Sequence, residues 1–116
     1  MGCQYRPVDV VVKEKGLHTV GLIDTGADET VISTKLADAL GCKLKGDFRA
    51  TSASKVEVKG RYTRVKSIVE KWSGKSVEEY RIGVTDEPFA DDEGIDIIIG
   101  VDFLQDTNYE LKFTNR

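Results

Sequence analysis

Across residues 47–84 apolar and polar side chains alternate almost without interruption, a period of two that buries one face of a strand and cannot bury one face of a helix. A chain so patterned must build antiparallel sheet. Phe48 and Ala50 alternate with polar neighbours, as do Val56 and Val58, and two longer strand-like segments follow at residues 61–72 and 77–84. Small polar residues break the pattern at Ser52-Ala53-Ser54 and Ser73-Gly74-Lys75, so two successive hairpins are expected. Upstream, residues 8–12 and 19–23 predict a further hairpin around the polar turn at 13–16. Ser33 or Thr34 can cap a short helix over residues 35–40 that ends at Gly41. Near the C-terminus the nearly continuous apolar run 95–99 predicts a strand covered on both faces, stopped by Gly100. One helical turn over 101–105 and a last alternating strand over 109–113 complete an all-β reading with one or two short helices.

At 116 residues the chain has room for one domain, here taken as residues 1–116, and its 40% hydrophobic and 32% charged residues describe a globular protein. The charge balance limits its partners. Seventeen basic residues against twenty acidic give a net charge of -3, and Lys and Arg are scattered along the sequence, so nucleic acid is not expected. No apolar run approaches the roughly 20 residues that span a bilayer, and the N-terminus lacks a signal-peptide pattern. No membrane partner and a cytoplasmic location are therefore expected. Cys3, Cys42 and the single His18 form neither a disulfide framework nor a metal-ligand spacing. The acids at 86–87 and 91–93 do not match a calcium loop. No cofactor or metal is expected, Trp72 reads as a packing residue, and His18 reads as exposed and not catalytic.

The segment Leu22-Ile23-Asp24-Thr25-Gly26-Ala27-Asp28 places a carboxylate where an apolar strand turns, with no bulky side chain around it. By itself Asp-Thr-Gly is a weak signal. An Asx turn with glycine at positive φ would explain it as well. The context is more specific: the apolar pair Val31-Ile32 follows, and Ile97-Ile98-Ile99-Gly100-Val101-Asp102-Phe103-Leu104 lies some 70 residues on.

Together these segments resemble the retropepsin-like aspartic peptidases, and the resemblance runs in order over nearly the whole chain. Gly100-Val101-Asp102-Phe103-Leu104 resembles the Gly-Leu-Asp-Met-Leu of cellular retropepsin-like domains, whereas viral enzymes usually carry Arg after that Gly. The resemblance implies a half-pepsin closed barrel that is homodimeric, with Asp24, Thr25 and Gly26 as catalytic loop and a polypeptide as substrate. It further implies that Ala27 and Asp28 contact substrate and that residues 48–59 form a flap whose tip, Ser52, Ala53 and Ser54, covers it. Arg6 is a candidate partner for Asp28, which the viral Arg would otherwise pair. Hydrolysis by this route needs two carboxylates about 3 Å apart sharing one proton. Only one Asp-Thr-Gly is present, because Asp106-Thr107-Asn108 lacks the glycine. The second Asp24 must come from another copy. The expected function is thus an aspartic endopeptidase, and the rival reading is a retropepsin-fold dimerisation or peptide-binding module with little turnover. Whether the domain belongs to a longer chain stays open at this point.

Overall fold

In the computed structural model, residues 4–51, 57–86 and 94–110 are described. Seven strands and two helices follow one another as β1 (Gln4–Val12), β2 (Lys15–Ile23), β3 (Val31–Ile32), α1 (Thr34–Leu40), β4 (Lys45–Thr51), β5 (Glu57–Glu70), β6 (Ser76–Val84), β7 (Ile95–Ile99) and α2 (Val101–Asp106). The strands run β1-β2-β7-β3-β6-β5-β4, and β1 also pairs with β5. That extra pairing closes six strands into a barrel and leaves β4 outside, hairpinned onto β5. Closure leaves no open edge within the ring.

Besides β6 on one edge, β5 can serve two neighbours on the other because it is fourteen residues long. Its first part pairs with β4, from Thr51 opposite Glu57 to Lys45 opposite Tyr62, and its last part pairs with β1, from Val11 opposite Ser67 to Val8 opposite Glu70. The alternation seen in the sequence holds in two stretches, Thr63 and Val65 going inward while Arg64 and Lys66 stay outside, and after a shift of phase Ile68 and Glu70 going inward. Val8, Val10, Ile97, Ile99 and Phe103 meet Val65 and Ile68 in one core. Burying five such side chains at roughly 1.5–3 kcal/mol each makes this core the main source of cohesion.

Most expected elements stand where the pattern put them. Ser33 caps α1, its hydroxyl accepting the Leu36 N–H at 3.0 Å, and Gly41 ends the helix at φ 70, a conformation that favours glycine. Ile95, Ile97, Ile98 and Ile99 are all buried, so β7 is covered on both faces. Three differences have local causes. β3 has only two residues, too few to show a period, and becomes a strand because β6 and β7 flank it. β5 stops at Glu70 rather than reaching Trp72, because the Glu70 carboxylate accepts the N–H groups of Trp72 and Ser73 at 2.6 and 3.0 Å and turns the chain. The last strand does not begin at Tyr109: Asn108 at φ 54 makes a turn, and the Tyr109 N–H closes onto the Leu104 carbonyl at 2.8 Å. Residues 111–113 of that expected strand lie outside the described residues, as does the tip of the β4–β5 hairpin.

Trp72 is not a packing residue. It is 70% exposed, with the Arg6 guanidinium 4.5 Å from its ring centroid. His18 is exposed as expected and faces Asp9 across the β1–β2 pair.

Candidate active site

The chain reaches Asp24 along β2, whose partner β7 runs parallel to it and ends level with it, Ile23 opposite Ile99. The Asp24 N–H donates to the Ile99 carbonyl at 3.0 Å and so makes the last rung of that ladder. The strand then turns. The Ala27 N–H returns to the Asp24 carbonyl at 3.1 Å, and the Gly26 N–H donates to Asp24 Oδ1 at 2.9 Å. This is the bond of an Asx turn, but Gly26 is not among the glycines at positive φ. The side chain is thereby oriented with one oxygen held and Oδ2 without a protein donor among the described residues. Asp24 and Ala27 are half-buried, while Thr25, Gly26 and Asp28 are exposed.

The start of α2 braces the loop from below. Val101 and Asp102 donate their N–H groups to the carbonyls of Ala27 and Asp28 at 2.8 and 3.1 Å. A Cβ on Gly100 would lie 2.6 Å from the Glu29 carbonyl carbon and 2.8 Å from the Ala27 oxygen. Only glycine lets the two segments approach this closely. Beside it Thr30 is fully buried, its Oγ1 accepting the Gly100 N–H at 3.1 Å and donating to Asp102 Oδ1 at 2.7 Å. Loop, β7 end and helix start are therefore one hydrogen-bonded unit. A bond to a charged acceptor such as Asp102 contributes about 1.5–3 kcal/mol.

The loop also touches the wall of the β5 strand, where the Tyr62 hydroxyl donates to the Glu29 carboxylate at 3.3 Å. Burial, with the Glu29 charge behind it, pushes the Tyr62 phenol up. Sequence reading missed Thr30, Asp102 and Glu29. A threonine and an aspartate set among apolar neighbours were the available signal, but nothing in the linear order says that they meet.

Of the expected site residues, Asp24, Thr25, Gly26, Ala27 and Asp28 share this one loop. Ser52, Ala53 and Ser54 fall outside the described residues, although the hairpin that carries them is formed, with Ala50 opposite Val58. Arg6 is placed against Trp72 and the Tyr5 carbonyl, and no ion pair joins it to Asp28 within the chain among the described residues.

A family model described as aspartyl protease matches residues 8–103, spanning both the Asp24 loop and the Gly100 segment. The chain belongs to this family. Among solved structures this aspartyl protease is similar to EIAV protease complexed with the inhibitor HBY-793, with 29% identity over 93% of each chain and a TM-score of 0.57. No curated protein sequence matches it. The retropepsin-like fold expected from the sequence is thus present: an all-β closed barrel with two short helices and one Asp-Thr-Gly loop.

Proposed function

We propose that this aspartyl protease is an endopeptidase active as a homodimer, in which the Asp24 carboxylates of two copies face each other across a two-fold axis. The observation that carries this reading is the state of Asp24, held at one oxygen by Gly26 and open at the other on a loop whose Thr25 and Gly26 are exposed. One such carboxylate cannot serve as both acid and base. Two of them, sharing a proton, can.

In the proposed reaction the ionised carboxylate takes a proton from water as the water oxygen attacks the scissile carbonyl carbon, and the protonated one donates to the carbonyl oxygen. The tetrahedral intermediate then collapses as the amine takes a proton from the dyad and leaves. Because catalysis needs the singly protonated pair, the rate should fall at both low and high pH. The Thr25 hydroxyl, which has no partner among the described residues of one chain, is available to the opposite loop. Ala27 and Asp28 would contact substrate main chain, with Ser52, Ala53 and Ser54 closing over a strand-like polypeptide.

The test is incubation of the chain and of Asp24→Asn with a mixed peptide library from acidic to mildly alkaline pH, alongside sedimentation. A dimer that cleaves, and an Asp24→Asn dimer that does not, are the expected results. Binding without cleavage by the unmodified chain would favour the peptide-binding module instead. Deleting residues 111–116 should give a monomer without activity, since the retropepsin resemblance assigns the chain ends to an intersubunit sheet. The cut belongs after Glu110, because Tyr109 is tied into the fold through Glu70.

A further inference from the structure

Lys and Arg are scattered in sequence, but folding collects six of them. Two adjoining hollows, of about 460 and about 310 Å³, share Lys43, Thr63 and Arg64 in their walls. Around them stand Lys13, Lys43, Lys45, Arg64, Lys66 and Arg81, against Glu79 as the one acid. A chain of net charge -3 therefore carries a groove of local charge +5, six cations less one anion.

The arrangement is costly without an anion. Arg64 and Arg81 lie directly opposite each other in the β5–β6 ladder, and like charges in that position repel. None of the six cations makes an ion pair among the described residues, whereas elsewhere Lys71 pairs with Asp9 and Lys59 with Glu57. Both guanidinium groups are also held in place. Arg64 donates to the Glu79 carbonyl at 2.6 Å, and Arg81 lies 4.1 Å from the centroid of the Tyr62 ring. Fixed forks of this kind suit carboxylates, which they can bind at two points.

We infer that this groove is an exosite for an acidic stretch of the polypeptide substrate, lying outside the bond to be cut; the inference rests on the endopeptidase reading above. Tyr62 connects the two places, since it stands in the groove wall and its hydroxyl reaches Glu29, next to Asp28. Nucleic acid fits the groove less well. Tyr62 is the one aromatic residue in the walls of these hollows, and its ring is taken up by Arg81 and by Phe48, packed edge-on at 5.3 Å. With one aromatic ring, already stacked by a guanidinium, these walls offer no row of open ring faces on which successive bases could stack.

The experiment compares two peptides that share one cleavable core, one extended by six Glu and one by six Gln. Kinetics are read for the full chain, for the double substitution Lys43→Gln with Lys66→Gln, and for Lys35→Gln, an exposed lysine on α1. Binding of the labelled Glu peptide to Asp24→Asn is measured by fluorescence anisotropy in parallel. The Glu extension should raise kcat/KM about tenfold at low salt, mostly through KM, as expected when several exposed charge pairs each contribute modestly. High salt and the double substitution should bring the ratio toward one, and Lys35→Gln should leave it unchanged. Cleavage of both peptides at equal rates overturns the inference and leaves the peptidase reading intact. So does a Glu advantage that survives the double substitution, or displacement of the labelled peptide by a single-stranded oligonucleotide at lower concentration than by unlabelled peptide. If neither peptide is cut while the labelled one still binds, the peptidase reading and the exosite role fall together, and the groove is left as an acidic-peptide site.

Discussion

Asp24 and Glu70 are both carboxylates at the end of a strand, both accept backbone N–H groups from the turn that follows, and they are treated in opposite ways. Glu70 is fully buried and takes three hydrogen bonds, from the N–H groups of Trp72 and Ser73 and from the Tyr109 hydroxyl at 2.7 Å. Asp24 is half-buried and takes one, from Gly26. The barrel uses its other polar contacts near Asp24 to fix the backbone, through Thr30, Gly100 and Asp102, rather than to satisfy the carboxylate. Glu70 has its capacity spent inside the fold and can do no chemistry, while Asp24 keeps an oxygen for water or substrate. A carboxylate on a braced loop with unused acceptor capacity is what acid–base catalysis requires.

The largest expected effect tests the Asp24 side of this contrast. Asp24→Asn should cut peptide hydrolysis by about a thousandfold or more, within the range assigned to a positioned acid or base, while the urea midpoint stays close to that of the unmodified chain. A variant that unfolds early would mean that Asp24 is structural after all, and the contrast with Glu70 would be lost. Glu70→Leu should do the reverse. With the Trp72, Ser73 and Tyr109 donors losing their acceptor it should lose about 1–3 kcal/mol of stability, yet cleave normally per folded molecule at temperatures where it stays folded.

Thr30→Val sharpens the comparison, because Thr30 is buried like Glu70 but serves the Asp24 loop. Removing its hydroxyl leaves the Gly100 N–H and Asp102 Oδ1 short of a partner and should cost about 2–3 kcal/mol, measurable by denaturant titration. Activity should fall as well, since the brace under Asp24 loosens. Thr30→Ser, which keeps the oxygen, should restore most of both. A Thr30→Val chain of normal stability would show that the brace is held by the backbone contacts of Val101 and Asp102 alone.

How much of this could be read from the sequence depends on the range of the interaction. The strands of residues 47–84 and the Ser33-capped helix follow from periods and caps contained within a few residues; they are present, although the expected segments around Val58 and over 61–72 form one strand, β5, that ends at Glu70. Asp24 carries a local signal too, a carboxylate at the end of an apolar strand followed by small residues, but that signal is weak by itself and becomes specific only with the Gly100 segment some 70 residues on. Thr30 with Asp102 and Glu70 with Tyr109 were not visible, because each pair is made by barrel closure between distant segments. β3 was hidden for the same reason, since two residues have no period and only β6 and β7 make them a strand. The groove around Arg64 and Arg81 was hidden most deeply: its cations come from the β1–β2 turn, the α1–β4 connection, β4, β5 and β6, and they become one patch only after folding.

The smallest effect concerns pH and decides whether Glu70 is charged inside the fold. Burial by itself would raise its pKa, but the hydrogen bonds from Ser73, the Tyr109 hydroxyl and the Trp72 N–H outweigh it and hold the carboxyl below its ordinary value of 4.5. A group whose folded pKa is depressed binds protons more readily in the unfolded chain. Its contribution is therefore complete above the ordinary glutamate range and is lost as pH falls from about 4.5 through the depressed folded value. Glu70→Gln removes this titration while keeping one oxygen acceptor for the turn. The gap in unfolding free energy between the unmodified chain and Glu70→Gln should accordingly be constant from neutral pH down to about pH 5 and then narrow in acid. Asp9, whose pKa is also lowered, is common to both chains and cancels in the difference. A gap that stays flat down to the acid limit would mean that Glu70 titrates alike in the folded and unfolded chain, and one that shifts steadily in favour of the unmodified chain between neutral pH and about pH 5 would mean that it is held protonated in the barrel; on either result its likeness to a spent carboxylate would have to be abandoned.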